Sequence, residues 1–207
     1  AALPTCSAGE VLKGDGTSLS CVTDTGGTDT NANTLCATGE YLDGDGTCRN
    51  NAYIVSAVRT PGGKKNGSLS LWHPADLGAK VLDELVLQTG IDPALIDDVI
   101  FGCVDQVGAQ SGNVARNAIL ASSLPESVPG TSVDRQCGSS QQAIHFAIQA
   151  VMSGTQDVVI GGGVEIMSMV PIGASIKDGY EAGHGLPFDS EGMKTRYPGI
   201  FFSQFTG

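Results

Sequence analysis

Cys137 is the residue of this sequence whose setting is best suited to covalent chemistry. It lies between a short β-branched run, residues 131–133, and a longer pattern typical of a helix, residues 141–152. A thiol at a helix start faces backbone N–H groups without intrahelical acceptors and the positive end of the helix dipole, and both favour the nucleophilic thiolate. The local sequence leaves two interpretations open, a nucleophile or a small buried core residue.

The other cysteines fall into two classes. Cys103 lies inside the apolar run 97–104, which predicts a structural role. The remaining four all lie in the first 52 residues: Cys6, Cys21, Cys36 and Cys48. Disulfides 6–21 and 36–48 are the local expectation, although other connectivities and free thiols stay open. Zinc is disfavoured because these cysteines form no Cys-x-x-Cys pair and have no histidine nearby.

These four cysteines belong to a segment that repeats itself. The pattern Cys-x-x-Gly-Glu-x-Leu-x-Gly-Asp-Gly-Thr occurs at residues 6–17 and again at 36–47, and a further cysteine closes each copy. The segment is poor in large apolar residues, so it needs covalent staples to offset its chain entropy. We predict that residues 1–50 form a loop-rich, cysteine-rich tandem repeat of an extracellular type, with copies at about 6–21 and 36–48.

From Asn51 onward, strand and helix patterns alternate. The predicted strands are 53–58, 97–104, 131–133 and 157–164, and the predicted helices are 75–88, 112–122 and 141–152. This alternation predicts an α/β fold with parallel βαβ units. The apolar, β-branched run 53–58 predicts a buried strand. Beyond Met169 the alternation fades, which predicts a loop-like subdomain. The expected boundaries are therefore 51–169 for the α/β domain and 170–207 for the start of the loop subdomain.

Composition excludes two classes of function. The 207 residues carry a net charge of −11, which argues against nucleic acid because phosphate binding needs a basic surface. No run approaches the roughly 20 apolar residues that a membrane-spanning helix needs. The chain begins without Met, which indicates processing, trimming or a composite origin.

Residues 52–207 resemble the N-terminal half of a thiolase, of the acetyl-CoA acetyltransferase and 3-ketoacyl-CoA thiolase type. The matching stretches are 52–61, 108–116, Asp134 to Ser139 and 161–168. The resemblance implies the first half of the duplicated thiolase fold, a mixed sheet layered with helices. It implies Cys137 as the acyl-accepting nucleophile, coenzyme A as an acyl-CoA substrate and no metal. It also implies a cytoplasmic protein that forms a homo-oligomer or assembles with a missing half, and 170–207 as the start of the loops that cover coenzyme A.

In thiolases a second half supplies a histidine in a Gly-His-Pro motif and a second cysteine in a Cys-x-Gly motif. This sequence ends before either motif, so we expect little or no turnover from the isolated chain. Its own histidines are poor substitutes: we predict that His145 packs within its helix and that His73 and His184 are polar loop residues.

The N-terminal repeats favour a second hypothesis. On that hypothesis the protein is a secreted, disulfide-stapled structural component of a filament or cell surface and has no catalytic activity. The enzyme hypothesis predicts that Cys137 alkylates readily at neutral pH, whereas the structural hypothesis predicts closed disulfides at the four N-terminal cysteines and long-range assembly.

Overall fold

The computed structural model describes residues 51–199 and, before them, the backbone of residues 10–14, 19–23, 40–42 and 48–50. The chain divides into two compact units, Ala1–Arg49 and Asn50–Gly207.

The described residues before 51 form two small two-stranded sheets, one in each copy of the repeat. Strand β1 (Glu10–Gly14) runs antiparallel to β2 (Leu19–Thr23), with Leu12 opposite Cys21. Strand β3 (Glu40–Leu42) pairs with β4 (Cys48–Asn50). In both copies the first strand begins at the glutamate of the repeat and the second strand carries the closing cysteine. The remaining cysteines and all four side chains lie outside the described residues, so the disulfides stay a prediction.

The second unit is built on a three-stranded parallel sheet in the order β6-β5-β7. Its strands are β5 (Asp98–Gly102), β6 (Gly130–Val133) and β7 (Val159–Gly163). All three end level with one another, because Gly102 is in register with Val133 and with Gly163. The parallel α/β prediction is confirmed for these strands, and no described strand of this sheet runs antiparallel, as the expected mixed sheet would require.

Helices connect the strands and cover the sheet. Helix α1 (Pro74–Thr89) precedes β5, α2 (Val114–Ala121) connects β5 to β6, and α3 (Ser139–Met152) connects β6 to β7. Helix α1 begins where the His73 Nδ1 accepts the Ala75 N–H at 3.3 Å and ends at Gly90, whose φ of 64° few other residues adopt without strain.

The core lies between α1, α2 and one face of the sheet. Leu82, Val99, Phe101, Val114 and Ile119 are all buried in it. Where α1 meets α2, a Cβ added at residue 78 would lie 2.9 Å from the Ala118 Cβ, so only glycine permits this approach.

The prediction of a buried strand at residues 53–58 is wrong for the structure described. The segment has no regular secondary structure, and Tyr53, Ile54 and Val55 are largely exposed. An apolar, β-branched run becomes a strand only where a neighbour accepts its backbone hydrogen bonds, and neither edge of the described sheet pairs with it.

The segment beyond Met169 is more regular than the sequence predicted. Its described part, up to residue 199, contains two short helices, α4 (Ala174–Glu181) and α5 (Glu191–Arg196), joined by Gly-rich turns. Across the residues that the structure describes, no helix has both the length and the apolar character needed to cross a membrane.

Candidate active site around Cys137

Cys137 lies in the turn between the end of β6 and the start of α3. Its thiol is free and exposed, so the alternative interpretation as a buried core residue is wrong. Its φ is 60°, a conformation that non-glycine residues adopt rarely and at an energetic cost. Such strain persists where the surrounding structure enforces it, and it occurs disproportionately at functional sites.

Hydrogen bonds within the turn hold Cys137 in this conformation. The Gly138 N–H donates to the Arg135 carbonyl oxygen at 2.7 Å. The buried Ser139 bonds Arg135 twice, because its Oγ accepts the Arg135 N–H at 3.1 Å and donates to the Arg135 carbonyl at 3.0 Å. Ser139 is the first residue of α3, so these two bonds tie the start of the helix to the residue two positions before Cys137.

The start of α3 is pressed against the carboxyl end of the sheet. A Cβ at residue 102 would overlap the backbone of Ser139 and Ser140, and one at residue 163 would overlap the Ser140 Oγ. One turn further along, a Cβ at residue 161 would lie 2.9 Å from the Ile144 Cα. Three strand glycines therefore bring the helix that follows Cys137 into backbone contact with β5 and β7.

Cys103 is chemically different from Cys137, in agreement with its predicted structural role. It lies in the core directly after β5. Burial, and then the nearby carboxylates of Glu165, Asp105 and Asp134, raise the pKa of its thiol to about 12. A thiol that is both buried and protonated is a poor nucleophile.

A largely buried polar cluster, which the sequence did not predict, lies beyond the same edge of the sheet. We call Asp105, Gln110 and Glu165 the Asp105 network. Gln110 Nε2 donates to the Asp105 carbonyl at 2.8 Å, and its Oε1 accepts the Ile166 N–H at 2.6 Å. The Glu165 carboxylate accepts the Asp105 N–H at 2.9 Å. The sequence signal for this cluster was weak: Asp105 and Glu165 directly follow the predicted strands 97–104 and 157–164, and polar residues in such places are common in loops.

The histidines lie in three separate places. His145 is on α3 and exposed, so the prediction that it packs within the helix is wrong. His73 caps α1, and His184 lies in an exposed turn after α4. Within the described part of the chain, no group of three or more histidine, cysteine, aspartate or glutamate residues is arranged to hold a metal ion.

This geometry provides an accessible sulfur at the start of a helix. The first-turn N–H groups of an α-helix lack intrahelical acceptors, so they can stabilise negative charge next to the sulfur. An accessible thiol with such donors nearby suits nucleophilic attack on a carbonyl and stabilisation of the oxyanion that forms.

Comparison with known proteins shows similarity to thiolases over most of the second unit. Residues 52–193 match the family model described as thiolase, N-terminal domain. The steroid 3-ketoacyl-CoA thiolase FadA6 of Mycobacterium tuberculosis is 52% identical over 157 residues, which are 75% of this chain and 39% of that protein. The 3-ketoacyl-CoA thiolase of Pseudoalteromonas translucida is 46% identical over 125 residues, 59% of this chain and 32% of that protein.

Among solved structures, that of the Bacillus anthracis acetyl-CoA acetyltransferase has a TM-score of 0.49 at 40% identity, covering 51% of this chain and 27% of that one. The chain therefore spans well under half the length of each of these relatives. Because the family model covers more than half of the present sequence, the chain belongs to the thiolase family, and its match is to the N-terminal domain.

Proposed function

We propose that this chain carries the acyl-accepting half of a CoA-dependent acyl transfer, with Cys137 as the nucleophile. The observation that carries the proposal is that Cys137, in the turn before α3, has an exposed thiol and a backbone at positive φ. Family membership adds support, since two of the relatives named above are 3-ketoacyl-CoA thiolases. It favours a 3-ketoacyl-CoA as the donor and a cytoplasmic location, and it favours the enzyme hypothesis over that of a structural protein.

In the simplest half-reaction, the Cys137 sulfur attacks the thioester carbonyl of an acyl-CoA. A new bond forms between this sulfur and the carbonyl carbon, the bond from that carbon to the coenzyme A sulfur breaks, and the cysteine proton passes to the departing coenzyme A thiolate. The products are an acyl-enzyme thioester and free coenzyme A. Because a thiolate leaves readily, this exchange needs no second catalytic side chain.

Cleavage of a 3-ketoacyl-CoA is more demanding. Attack at the keto carbon expels a carbon-centred leaving group, the enolate of acetyl-CoA, which requires a proton donor. In the thiolase resemblance this donor comes from the second half of the fold. We therefore expect the chain alone to accept an acyl group but to show little turnover, and full activity to require assembly with the remaining part or with further copies. We also propose that residues 170–207 begin the loops that cover coenzyme A.

The test is to incubate the protein with acetyl-CoA and follow its intact mass and the free coenzyme A released. We expect the mass gain of one acetyl group, located on Cys137 by peptide mapping and removed by hydroxylamine, with one coenzyme A released per acetyl group. Cys137→Ser should abolish the thioester, whereas Cys103→Ser, a matched change at the buried cysteine, should retain it. An unmodified wild-type protein, or acetylation that persists in Cys137→Ser, would refute the role of Cys137.

A further inference from the structure

Asp105 is a buried carboxylate to which the proposed chemistry assigns no task. Only 2% of the residue is exposed. An ionised carboxylate in such a place requires hydrogen-bond donors. The donors come from the start of α4, 68 to 70 positions further along the chain. The Gly173 N–H donates to one carboxylate oxygen at 2.9 Å, and the Ser175 N–H and Oγ donate to the other at 3.3 and 3.0 Å.

Asp105 therefore caps a helix to which it does not belong. The residue at the N-cap position of α4 is Gly173, which has no side chain to accept the first N–H groups of the helix. Asp105 supplies the missing acceptor from the loop after β5, and its negative charge lies at the positive end of the helix dipole. Without this carboxylate, the first turn of α4 has unsatisfied donors and no anchor of this kind.

The backbone of Asp105 is fixed by the other members of the Asp105 network. Its N–H is held by Glu165 and its carbonyl by Gln110, and Gln110 also accepts the Ile166 N–H. The loop after β5, the loop after β7 and the start of α4 are thereby joined through buried or part-buried hydrogen bonds. The loop after β5 bonds to both of the others, so a shift of this loop would break hydrogen bonds to the loop after β7 and to the start of α4.

This junction lies beyond the same edge of the sheet as Cys137. Strands β5, β6 and β7 end in register; Asp105 follows the end of β5 by three residues, and Cys137 follows the end of β6 by four. Ligands of parallel α/β sheets bind beyond the carboxyl ends of the strands. The segment that Asp105 anchors therefore starts at the edge where a substrate of Cys137 would bind.

We propose that Asp105 is a positioning residue, which fixes α4 and the segment leading into it over the carboxyl edge of the sheet so that they cover an acyl-CoA bound at Cys137. The inference rests on the proposed function. Asp105 touches neither substrate nor sulfur; it acts by capping α4 across the chain.

The test measures how well a coenzyme A thioether protects Cys137. S-ethyl-CoA carries no transferable acyl group, so slower alkylation of Cys137 by iodoacetamide reports binding alone. The variants are Asp105→Asn, which removes the negative charge and replaces one of the two acceptor oxygens by an NH₂ donor, and Ser175→Ala, which deletes one donor. The matched control is Asp97→Asn: Asp97 also accepts two backbone N–H groups, from Asp157 and Val158 at 2.7 and 3.0 Å, but it lies just before the amino end of β5.

Without ligand, Cys137 should alkylate at the same rate in all four proteins. Asp105→Asn should raise the S-ethyl-CoA concentration for half-protection about tenfold, since bonds to a charged acceptor are lost, and Ser175→Ala should raise it by a smaller factor. Asp97→Asn should leave it unchanged. Backbone hydrogen exchange of residues 173–182 should quicken in Asp105→Asn and not in the control.

The possible failures differ. If wild-type Cys137 is not protected, acyl-CoA binding fails and both proposals fall. If the wild type is protected and neither Asp105→Asn nor Ser175→Ala shifts the half-protection concentration, only the positioning role is overturned. An equal shift in Asp97→Asn, or faster unliganded alkylation in Asp105→Asn, would also overturn it, because either indicates general loosening. If Asp105→Asn does not fold, Ser175→Ala decides on the same criterion.

Discussion

Two cysteines of the second unit show how strongly environment determines the chemistry of one side chain. Cys137 is exposed in a strained turn at a helix start, whereas Cys103 lies in the core with its thiol pKa raised to about 12. The sequence distinguished them through their neighbours, because an apolar run surrounds Cys103 and a polar junction surrounds Cys137. It did not reveal the positive φ, which depends on contacts of the folded turn.

The first prediction concerns selective alkylation of these two residues. In reduced native protein at neutral pH, iodoacetamide should modify Cys137 and leave Cys103 unmodified, because the buried thiol is both inaccessible and protonated. Peptide mass spectrometry against time measures both rates. Cys103 should react once denaturant is added, which controls for detection of its peptide. Comparable native rates at the two sites would contradict the structure.

Asp97 gives a prediction about acid stability. The N–H groups of Val158 and Asp157 lower its pKa in the folded state, so folding favours its ionised form. The resulting stabilisation is present above the unfolded pKa of about 4 and is lost as pH falls through the lower folded value. Asp97→Asn should therefore lower the urea midpoint at pH 7. Below about pH 4, the midpoint of the variant should decrease less with falling pH than that of the wild type. The exposed Asp178→Asn serves as the control, and parallel pH profiles for wild type and Asp97→Asn would refute the assignment.

At the scale of elements, periodicity predicted most of the second unit. Helices α1, α2 and α3 and strands β5, β6 and β7 all appear within a few residues of their predicted bounds, because each has a clear apolar face or run. The Asp105 network was not predictable, since all its hydrogen bonds to the loop after β7 and to α4 join residues 56 to 70 apart in sequence, and no local pattern encodes such pairing. The prediction of a strand at 53–58 was wrong for a related reason, because local composition cannot show whether a pairing partner exists.

The close approach of α3 to the sheet gives an element-scale prediction. Gly163→Ala should destabilise the second unit by about 1–3 kcal/mol or more, because its Cβ would overlap the Ser140 Oγ and the backbone of residue 102. Gly162→Ala is the matched control, since its Cβ would lie 3.4 Å from a Phe101 ring carbon, within reach of a small adjustment. Urea unfolding of both variants measures the difference, and equal midpoints would contradict the packing.

At the scale of the whole molecule, the described residues include large apolar side chains that are exposed. Tyr53, Ile54, Val55 and Leu71 are exposed although their sequence environment predicted burial of the first three. Val55→Glu should change the free energy of unfolding by no more than about 0.5 kcal/mol, because 83% of the residue is exposed. The same change at Val99, which is fully buried in β5, should prevent folding or cost several times more. A severe loss in Val55→Glu would show that the segment is buried in solution.

The N-terminal unit gives a prediction about disulfide pairing. After oxidation with glutathione disulfide, a non-reducing peptide map should show the pairs Cys6–Cys21 and Cys36–Cys48, because each pair lies within one copy of the repeat. Closing loops of this length contributes about 3 kcal/mol each in the chain-entropy model. A reduced and alkylated sample is the reference. Pairs that cross between copies, or four persistent free thiols, would exclude two independent stapled modules.

The glycines at residues 102, 161 and 163 have a consequence for finding loss-of-function variants. Because they have no side chain, these glycines let the helix after Cys137 approach the sheet. A search restricted to polar or reactive residues would therefore not identify them. A mutational scan scored for acylation should therefore find hits at these strand positions, remote from the sulfur along the chain. Replacing hydrogen by methyl there would displace the nucleophile while leaving every reactive group chemically intact.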